Sequence, residues 1–371
     1  MKMIPIMKPS LGGNELKYVT NCVETEWISS QGTFVTKFEE LVGEYIGLKN
    51  AVAVSNGTVA LHLALISLGI GEGDEVIVPD MTFAASVNAV IHANATPVLV
   101  DVDRNTFNIN VSEIEKAITD KTKAIMPVHL YGNPCDMDQI NEIAQKHNLL
   151  VIEDAAESLG SIYKGKQTGS IADAAIFSFY GNKTITTGEG GIVVFKDDNA
   201  YERACVLRDH GMQKDKRYWH NYIGYNYRMT NLQAAIGVAQ MERIDEIINR
   251  KIEIANIYIE GLNKIDGITI PELDFENSRN TYWLFTFLID LDIDRSELIE
   301  YLKDHGIETR PVFYCIHNMP PYMNYRHKDL SNSKYISKNG VSIPSFIELT
   351  DDQLRYIVET IQNFFFSKKN G

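Results

Sequence analysis

Between residues 51 and 195 the sequence alternates short apolar runs with longer amphipathic segments, and no other feature constrains the fold as strongly. The apolar runs predict seven strands, at Ala51–Val54, Glu75–Val78, Pro97–Val102, Ala124–Val128, Leu149–Glu153, Ala174–Phe179 and Gly191–Phe195. Helices are predicted between the early strands, at Thr58–Leu68, Ala84–Ala93, Val111–Ile118 and Met137–His147. Strands that alternate with helices form βαβ units, so we expect an α/β fold with a parallel sheet and helices on both of its faces.

The pattern changes after a proline-free run from Thr230 to about Leu262, which predicts one long or kinked helix capped by Thr230 and Asn231. A smaller α+β unit is predicted beyond it, from a strand at Tyr282–Ile289, a helix at Arg295–His305, a short strand and a final helix from Asp351. A chain of 371 residues exceeds one ordinary domain. We therefore expect a large domain over residues 1–245 and a small C-terminal domain over residues 246–371.

The charge balance narrows the class of partner. The chain has 35 basic and 49 acidic residues, a net charge of −14, so broad binding to nucleic acid or to anionic membranes is not expected.

No run approaches 18 apolar residues, and Met1–Pro5 lacks the apolar core of a signal peptide. The cysteines are far apart and form no CxxC pair, which predicts free thiols, no structural zinc or other metal, and the reducing cytoplasm. They are Cys22, Cys135, Cys205 and Cys315.

The segment Phe177–Gly191, FSFYGNKTITTGEGG, carries the strongest chemical signal. An apolar strand runs into a turn that places Lys183, and the chain continues through three further glycines. Most lysines are solvated surface charges, but a lysine at a strand end beside glycines suits a Schiff-base nucleophile, because glycines let another molecule approach the backbone. The amine must lose its proton before it attacks an aldehyde, so we expect a desolvated setting or a nearby positive charge.

A second segment, Leu150–Glu157, is an apolar strand that ends in a carboxylate, where open α/β sheets place ligand contacts. Pyridoxal phosphate needs an acid opposite its ring nitrogen, and Asp154 is predicted in that role, 29 residues before Lys183. From these residues alone, an Asp154 that caps a following helix is an equal alternative. Glu157 would then be its capping-box partner, or else would meet the ring oxygen of the cofactor.

Two more segments complete a cofactor site. Ser55–His62 follows a strand and opens a helix, whose free N–H groups would bind phosphate. Thr82–Ser86 contains Phe83, which would stack on a flat heterocycle. Alone, a plain strand-to-helix turn and a core phenylalanine would be the better interpretations. Together the four segments supply a nucleophile, a partner for the ring nitrogen, a phosphate seat and a stacking face.

With these motifs the chain resembles the DegT/StrS-type sugar aminotransferases, pyridoxal-phosphate enzymes of fold type I. The resemblance covers nearly the whole chain, from Trp27–Gly32 (WISSQG) to Thr309–Phe313 (TRPVF), and it is closest to the perosamine-forming branch in His129–Asp136, Phe177–Gly191 and Gly224–Asn231. It implies a large domain with a mostly parallel seven-stranded sheet, whose N-terminal segment contributes to the active site, and a smaller α+β domain. It also implies a homodimer with shared active sites.

The resemblance assigns roles to particular residues. Lys183 would bond to the cofactor and shuttle the proton, Asp154 would pair with the ring nitrogen, and Glu157, where many members carry Gln, would approach the ring hydroxyl. The remaining cofactor contacts would be Gly57, Thr58 and Ser178 at the phosphate, Phe83 on the ring, and Asn226 at the phosphate of the neighbouring subunit's cofactor. The residues expected to border the substrate are Trp27, Ser29, Arg310, Tyr314 and His317.

The direction of the chemistry follows from Lys183, since a dehydrating branch of the family has histidine at that position. We therefore expect transfer of the amino group of L-glutamate to a keto sugar, first GDP-4-keto-6-deoxy-D-mannose, in surface polysaccharide biosynthesis. The alternatives are another nucleotide-linked 4-keto or 3-keto sugar, a small keto phosphate, or a non-catalytic regulatory relative. Trp219, His220 and Tyr222 form an aromatic loop that would touch a sugar nucleotide or pack at a dimer interface.

Overall fold

The computed structural model describes residues 3–213, 215–273, 275–290, 293–325 and 329–370, with two main sheets and helices around them. The helices are α1 Glu15–Glu24, α2 Thr33–Ile46, α3 Gly57–Ser67, α4 Ala84–His92, α5 Val111–Ala117, α6 Met137–His147, α7 Asp198–Arg208, α8 Asn231–Met241, α9 Ile244–Leu262, α10 Arg295–Asp304, α11 Ser331–Asn339 and α12 Asp351–Asn370. The strands are β1 Asn50–Val54, β2 Glu75–Pro79, β3 Thr96–Val100, β4 Thr122–Ile125, β5 Leu150–Asp154, β6 Ile162–Tyr163, β7 Lys166–Gln167, β8 Ala174–Ser178, β9 Gly191–Phe195, β10 Ile268–Thr269, β11 Phe285–Ile289, β12 Arg310–Pro311 and β13 Gly340–Ile343. Short 3₁₀ turns lie at Leu130–Gly132, Ile316–Asn318 and Pro320–Tyr325.

The predicted strands form one seven-stranded sheet in the order β1-β9-β8-β5-β4-β2-β3. The pairs from β8 to β3 are parallel, whereas β9 runs antiparallel to both of its neighbours. The expected mostly parallel sheet is confirmed. Strand β4 was predicted to end at Val128, but it ends at Ile125. Pro127 has no amide hydrogen to donate to a ladder of the sheet.

The reversed strand decides where Lys183 lies. Parallel strands β2, β4, β5 and β8 all end at one edge of the sheet, the edge where open α/β folds bind ligands. Since β9 is antiparallel to β8, with Ser178 opposite Gly191, the connection between them stays at that same edge. Lys183 is within this connection, and Asp154, at the end of β5, faces the same edge.

Helices cover both faces of this sheet. Helix α3 is buried on nearly all of its surface, as expected for a helix that packs against the sheet and other helices together. It shares a core with α4 and α7 on one face. On the other face, α2 and α8 pack around Phe38 and Phe177. Gly237 of α8 permits this packing, since a Cβ there would lie 2.6 Å from the ring of Phe38.

The predicted long helix is two helices that meet at Glu242 and Arg243. Thr230 caps α8 as predicted, and it forms a capping box with Gln233. The first turns of α9 pack in the core of the seven-stranded sheet through Ile247, whereas later residues pack in a second core.

This second core surrounds a four-stranded antiparallel sheet in the order β10-β11-β13-β12, with α10 and α12 against it. Tyr258 of α9 lies in it, and so does Ile4, which bonds to Gly306 and Glu308. Helix α9 therefore joins both cores, and the domain boundary near residue 245 stays a prediction. In the described residues, no helix is long and apolar enough to cross a membrane.

Candidate active site

A cavity of about 860 Å³ opens at the carboxyl edge of the seven-stranded sheet. Eight of the thirteen predicted site residues line it, from five separate parts of the chain. They are Gly57, Thr58, Phe83, Asp154, Glu157, Ser178, Lys183 and Arg310. The folded chain thus brings together the lysine, the two carboxylates, the phosphate seat and the stacking face that the sequence placed far apart.

Lys183 sits in the tight connection from β8 to β9, where its backbone N–H donates to the carbonyl of Tyr180 at 2.9 Å. Its Nζ lies 3.3 Å from Oε1 of Glu157 and 3.9 Å from the centroid of the Trp283 ring. Only 12% of the side chain is exposed. The amine is therefore in the desolvated setting that the sequence predicted for a nucleophilic lysine.

Asp154 is the last residue of β5, and its carboxylate is buried at the base of the cavity. Its Oδ2 accepts a hydrogen bond from Oγ of Ser86 at 2.7 Å, and its Oδ1 accepts one from the amide of Ala156 at 3.2 Å. The chain continues into turns and not into a helix, so the alternative role as a helix cap is wrong. Both donors are neutral, and burial raises the pKa of Asp154 above its ordinary value.

Glu157 follows in these turns and faces the lysine. Its Oε2 accepts a hydrogen bond from the amide of Tyr131 at 2.8 Å, and its Oε1 faces Lys183. Burial raises the pKa of Glu157, although the charge of Lys183 opposes that shift. Because no helix starts here, Glu157 is not a capping-box partner of Asp154.

The N-terminus of α3 forms the floor of one end of the cavity. Asn56 has an extended backbone and caps the helix through a bond from the amide of Val59, at 3.0 Å. Gly57 is required next to it, because a Cβ there would lie 2.9 Å from Cβ of Ser178. The first-turn amides of Gly57 and Thr58 and the positive end of the helix dipole suit an anion at this position.

Aromatic rings close the cavity on the other sides. Phe83 is 59% exposed and lines the cavity, so the alternative of a core phenylalanine is wrong. Its ring centroid lies 5.9 Å from that of Phe313. Trp283 and Tyr131 stack with centroids 6.1 Å apart. The sequence assigned a site role to neither Trp283 nor Tyr131. Tyr131 lies in His129–Asp136, which carries the family resemblance but no predicted site residue, and Trp283 lies in a predicted strand that carries no motif.

Five predicted residues do not line the cavity. Asn226 is exposed, and its Oδ1 accepts a hydrogen bond from Nε of Arg228 at 3.1 Å. The carbonyls of Trp27 and Ser29 accept bonds from Asn231 at the start of α8. These contacts place all three on the outer surface near α8, and their roles stay predictions.

The other two lie on the segment after β12. Tyr314 is 58% exposed, whereas His317 is buried, with its Nδ1 2.7 Å from Oδ2 of Asp80. Arg310 and Phe313 of the same segment line the cavity, whereas His317 does not. The predicted contact of both residues with substrate stays a prediction.

A fold of this topology, with a desolvated lysine, buried carboxylates and a helix N-terminus at one sheet edge, defines the class of pyridoxal-phosphate enzymes of fold type I. The residues fit that cofactor in three ways. Asp154 is a buried acid whose donors are neutral, so it suits a cationic ring nitrogen. The Gly57 turn is a cradle that a Cβ would fill, and Lys183 is positioned to bond an aldehyde.

Comparison with known proteins gives the family. A model of the DegT/DnrJ/EryC1/StrS aminotransferase family matches residues 9–362. GDP-perosamine synthase of Escherichia coli O157:H7 is 50% identical over 368 residues, 99% of this chain and 100% of the relative. GDP-perosamine synthase of Caulobacter vibrioides is 46% identical over 361 residues, 96% of this chain and 97% of the relative. The PLP form of the putative sugar aminotransferase Spr1654 from Streptococcus pneumoniae matches with a TM-score of 0.93 at 28% identity, over 98% of this chain and 99% of that one.

The chain belongs to the DegT/DnrJ/EryC1/StrS aminotransferase family. It is a sugar aminotransferase that depends on pyridoxal phosphate. The predicted family, fold class, enzyme class and cofactor are thereby confirmed.

Proposed function

We propose that this enzyme transfers the amino group of L-glutamate to GDP-4-keto-6-deoxy-D-mannose and forms GDP-perosamine for surface polysaccharide. The observation that carries this proposal is the pair of GDP-perosamine synthases that are 46% and 50% identical over nearly the full length of the chain. Lys183 supports amination in place of dehydration. The cytoplasmic location predicted from the cysteines belongs to the same proposal.

The proposed role of the protein is to bind and orient the cofactor and the substrates, and to move protons between them. Bound pyridoxal phosphate supplies an electron sink for a carbanion at the substrate carbon. Asp154 would keep the ring nitrogen protonated. Nζ of Lys183 would take the proton from the α-carbon of the amino donor and would deliver it to the carbon on the other side of the shared nitrogen. Glu157, whose pKa burial raises, would approach the ring hydroxyl, at the position where many family members carry Gln.

The anionic groups of the substrates, carboxylates and phosphates, also need positively charged partners. Arg310 lines the cavity and offers a guanidinium to a carboxylate of glutamate or to a phosphate of the acceptor. Outside the cavity, Lys216 lies 3.7 Å from the centroid of the exposed Trp219 ring, in the loop that the sequence associated with a sugar nucleotide. A diphosphate and a base would find complementary charge and a stacking face in that loop.

We include a homodimer with shared sites in this proposal. Large apolar side chains project from α1 and from the loop before α8, among them Leu16 at 81% exposure and Ile223 at 94%. Exposed apolar side chains of this size favour an interface between protein chains where they form a contiguous patch. Asn226, three residues after Ile223, is exposed and would reach the partner's phosphate seat from such an interface.

The test is an assay of the purified enzyme with glutamate and a panel of keto acceptors. We expect an amino sugar from GDP-4-keto-6-deoxy-D-mannose, and no turnover after Lys183→Ala. Lys196→Ala, at the opposite edge of the sheet, is the matched control and should keep full activity. Product from another nucleotide sugar or from a keto phosphate, with none from the GDP sugar, would replace our acceptor. A purified chain that binds no pyridoxal phosphate would favour the regulatory alternative.

A further inference from the structure

Trp283 is fixed at several points beside the lysine of the site. Its amide donates to the carbonyl of Tyr131 at 3.0 Å, and its Nε1 donates to the carbonyl of Asn182 at 2.7 Å. The side chain is almost fully buried, and its ring face contacts the Lys183 amine at 3.9 Å. A tryptophan bonded to the residue before Lys183 and packed on its amine restricts where that amine can lie.

Behind Trp283 lies a second lysine that the proposed chemistry does not use. Lys251, on α9, is 2% exposed, and its Nζ donates to the carbonyls of Trp283 at 3.1 Å and Ser345 at 2.6 Å. Burial lowers the pKa of Lys251 to about 7. Desolvation of an ammonium group is costly, and among the residues that the structure describes Lys251 has no carboxylate partner, so its burial calls for a reason other than stability.

Both lysines border one small cavity, which separates the Lys183 connection from α9. The contacts therefore form a continuous path from α9 to the reactive amine. Lys251 binds the backbone of Trp283, the indole of Trp283 binds the carbonyl of Asn182, and the ring touches Nζ of Lys183.

We propose that Trp283 is a positioning residue for the Lys183 amine and that Lys251 anchors Trp283 in that position. The proposal rests on the assignment of Lys183 as the cofactor lysine. A transferred proton requires the amine within hydrogen-bond reach of two carbon atoms in turn, and a misplacement of about 1 Å costs roughly a hundredfold in rate. The ring limits that movement on one side, and Glu157 contacts the amine at 3.3 Å.

Three variants separate the parts of this path. Trp283→Phe keeps an aromatic face but loses the bond to Asn182, whereas Trp283→Leu loses both. Lys251→Met keeps an unbranched apolar stem and removes the two bonds to carbonyls. Lys196→Met is the matched control, because Lys196 also donates to a backbone carbonyl, that of Ile171 at 2.6 Å, away from the cavity.

Two measurements are combined. In the apoenzyme, trace acetylation followed by peptide mass spectrometry gives the reactivity of Lys183 relative to other lysines. In the loaded enzyme, stopped-flow absorbance gives the per-site rate constant of the glutamate half-reaction, which does not depend on the amount of folded protein. We expect Trp283→Leu to raise the relative acetylation at least threefold, because the amine is uncovered, and to lower the rate constant about tenfold with little change in half-saturation by glutamate.

The other variants should have smaller effects or none. Trp283→Phe and Lys251→Met should move both readouts in the same directions by a smaller factor, and Lys196→Met should move neither. Wild-type values for both readouts in Trp283→Leu and Trp283→Phe would overturn the proposal, and this pair decides the matter even if Lys251→Met does not fold. Borohydride trapping of the wild-type holoenzyme keeps the premise separate, since a trapped cofactor on a lysine other than Lys183 would refute the proposed site itself.

Discussion

Glu153 and Asp154 are consecutive residues of β5, both are buried, and the fold surrounds them with opposite environments. Side chains alternate across a strand, so the two carboxylates face opposite sides of the sheet. Glu153 accepts bonds from the backbone amides of residues 169, 171 and 172 and lies 2.9 Å from Nε2 of His129. Asp154 accepts one bond from a hydroxyl, that of Ser86, and one from a single amide.

The pKa values follow the number of donors. Burial acts to raise the pKa of Glu153, but the bonds and charge of His129 and the amides of Gly169 and Ala172 outweigh it, so the pKa ends below its usual value. For Asp154, burial outweighs the bonds from Ser86 and Ala156, and the pKa is raised. A carboxylate with a full set of hydrogen-bond donors stabilises the fold, whereas a carboxylate with few donors can still bind a cationic ligand.

The largest expected effect is on the activity of Asp154→Asn. An amide cannot hold a proton on the ring nitrogen, so we expect kcat/KM to fall about a thousandfold, which is about 4 kcal/mol in the transition state. The free energy of unfolding of the apoprotein should stay equal or rise, because a poorly compensated buried charge is removed. Steady-state kinetics measures the change in kcat/KM, and urea denaturation of the apoprotein measures the change in the free energy of unfolding. Activity within tenfold of wild type would remove Asp154 from the cofactor site.

Glu153→Gln should behave in the reverse way. The amide brings hydrogens of its own towards groups that already donate, so we expect a loss of about 3 kcal/mol in the free energy of unfolding. Activity per folded site should remain within about twofold, since Glu153 faces away from the cavity. A stable variant with strongly reduced activity would contradict the division of labour between the two carboxylates.

The sequence predicted much of this site because local segments carry it. Lys183, Asp154 and Gly57 each follow a predicted strand, and parallel pairing brings such strand ends together. Asp154 lies at the cavity although the predicted strand ends one residue before it, at Glu153, and its role toward the cofactor stays a prediction. A single sequence carries no record of which face of a strand becomes lined with backbone amides, so the role of Glu153 was not visible.

Trp283 was missed for a different reason. It lies 100 residues after Lys183, in a strand predicted from Tyr282, and no spacing connects the two. The observed strand starts at Phe285, since Tyr282 adopts a left-handed backbone with φ of 47° and residues 283–284 form a bend. Residues predicted to act across a dimer, such as Asn226, depend on a second chain and therefore on contacts that a single chain does not contain.

The pH dependence of stability should separate the carboxylates with opposite signs. For Glu153 the folded pKa lies below the ordinary 4.5, so its stabilisation is full above pH 4.5 and is lost as the pH falls through the folded value. For Asp154 the folded pKa lies above the ordinary 3.8, so its cost is absent below pH 3.8 and develops as the pH rises through the folded value.

In the apoprotein we therefore expect the advantage of wild type over Glu153→Gln to shrink in acid. The advantage of Asp154→Asn over wild type should grow as the pH rises from 3.8. Each pKa unit corresponds to about 1.4 kcal/mol. Urea denaturation at several pH values between 3 and 8 gives the stability of wild type minus that of each variant. This difference should rise with pH for Glu153→Gln and fall with pH for Asp154→Asn, and a change of the same sign for both variants would refute the contrast.

The smallest expected effect is that of Ser86→Ala, which removes the 2.7 Å bond to Oδ2 of Asp154. Asp154 would keep only the longer bond from Ala156, so its orientation would loosen and its pKa would rise further. We expect kcat/KM to fall about fivefold, close to 1 kcal/mol, with the acid limb of its pH profile shifted upward. Ser158→Ala is the matched control, because Ser158 is fully buried and bonds to Thr168 away from the cavity. If both variants kept the wild-type pH profile, the amide of Ala156 alone would orient Asp154, and the hydroxyl of Ser86 would serve packing.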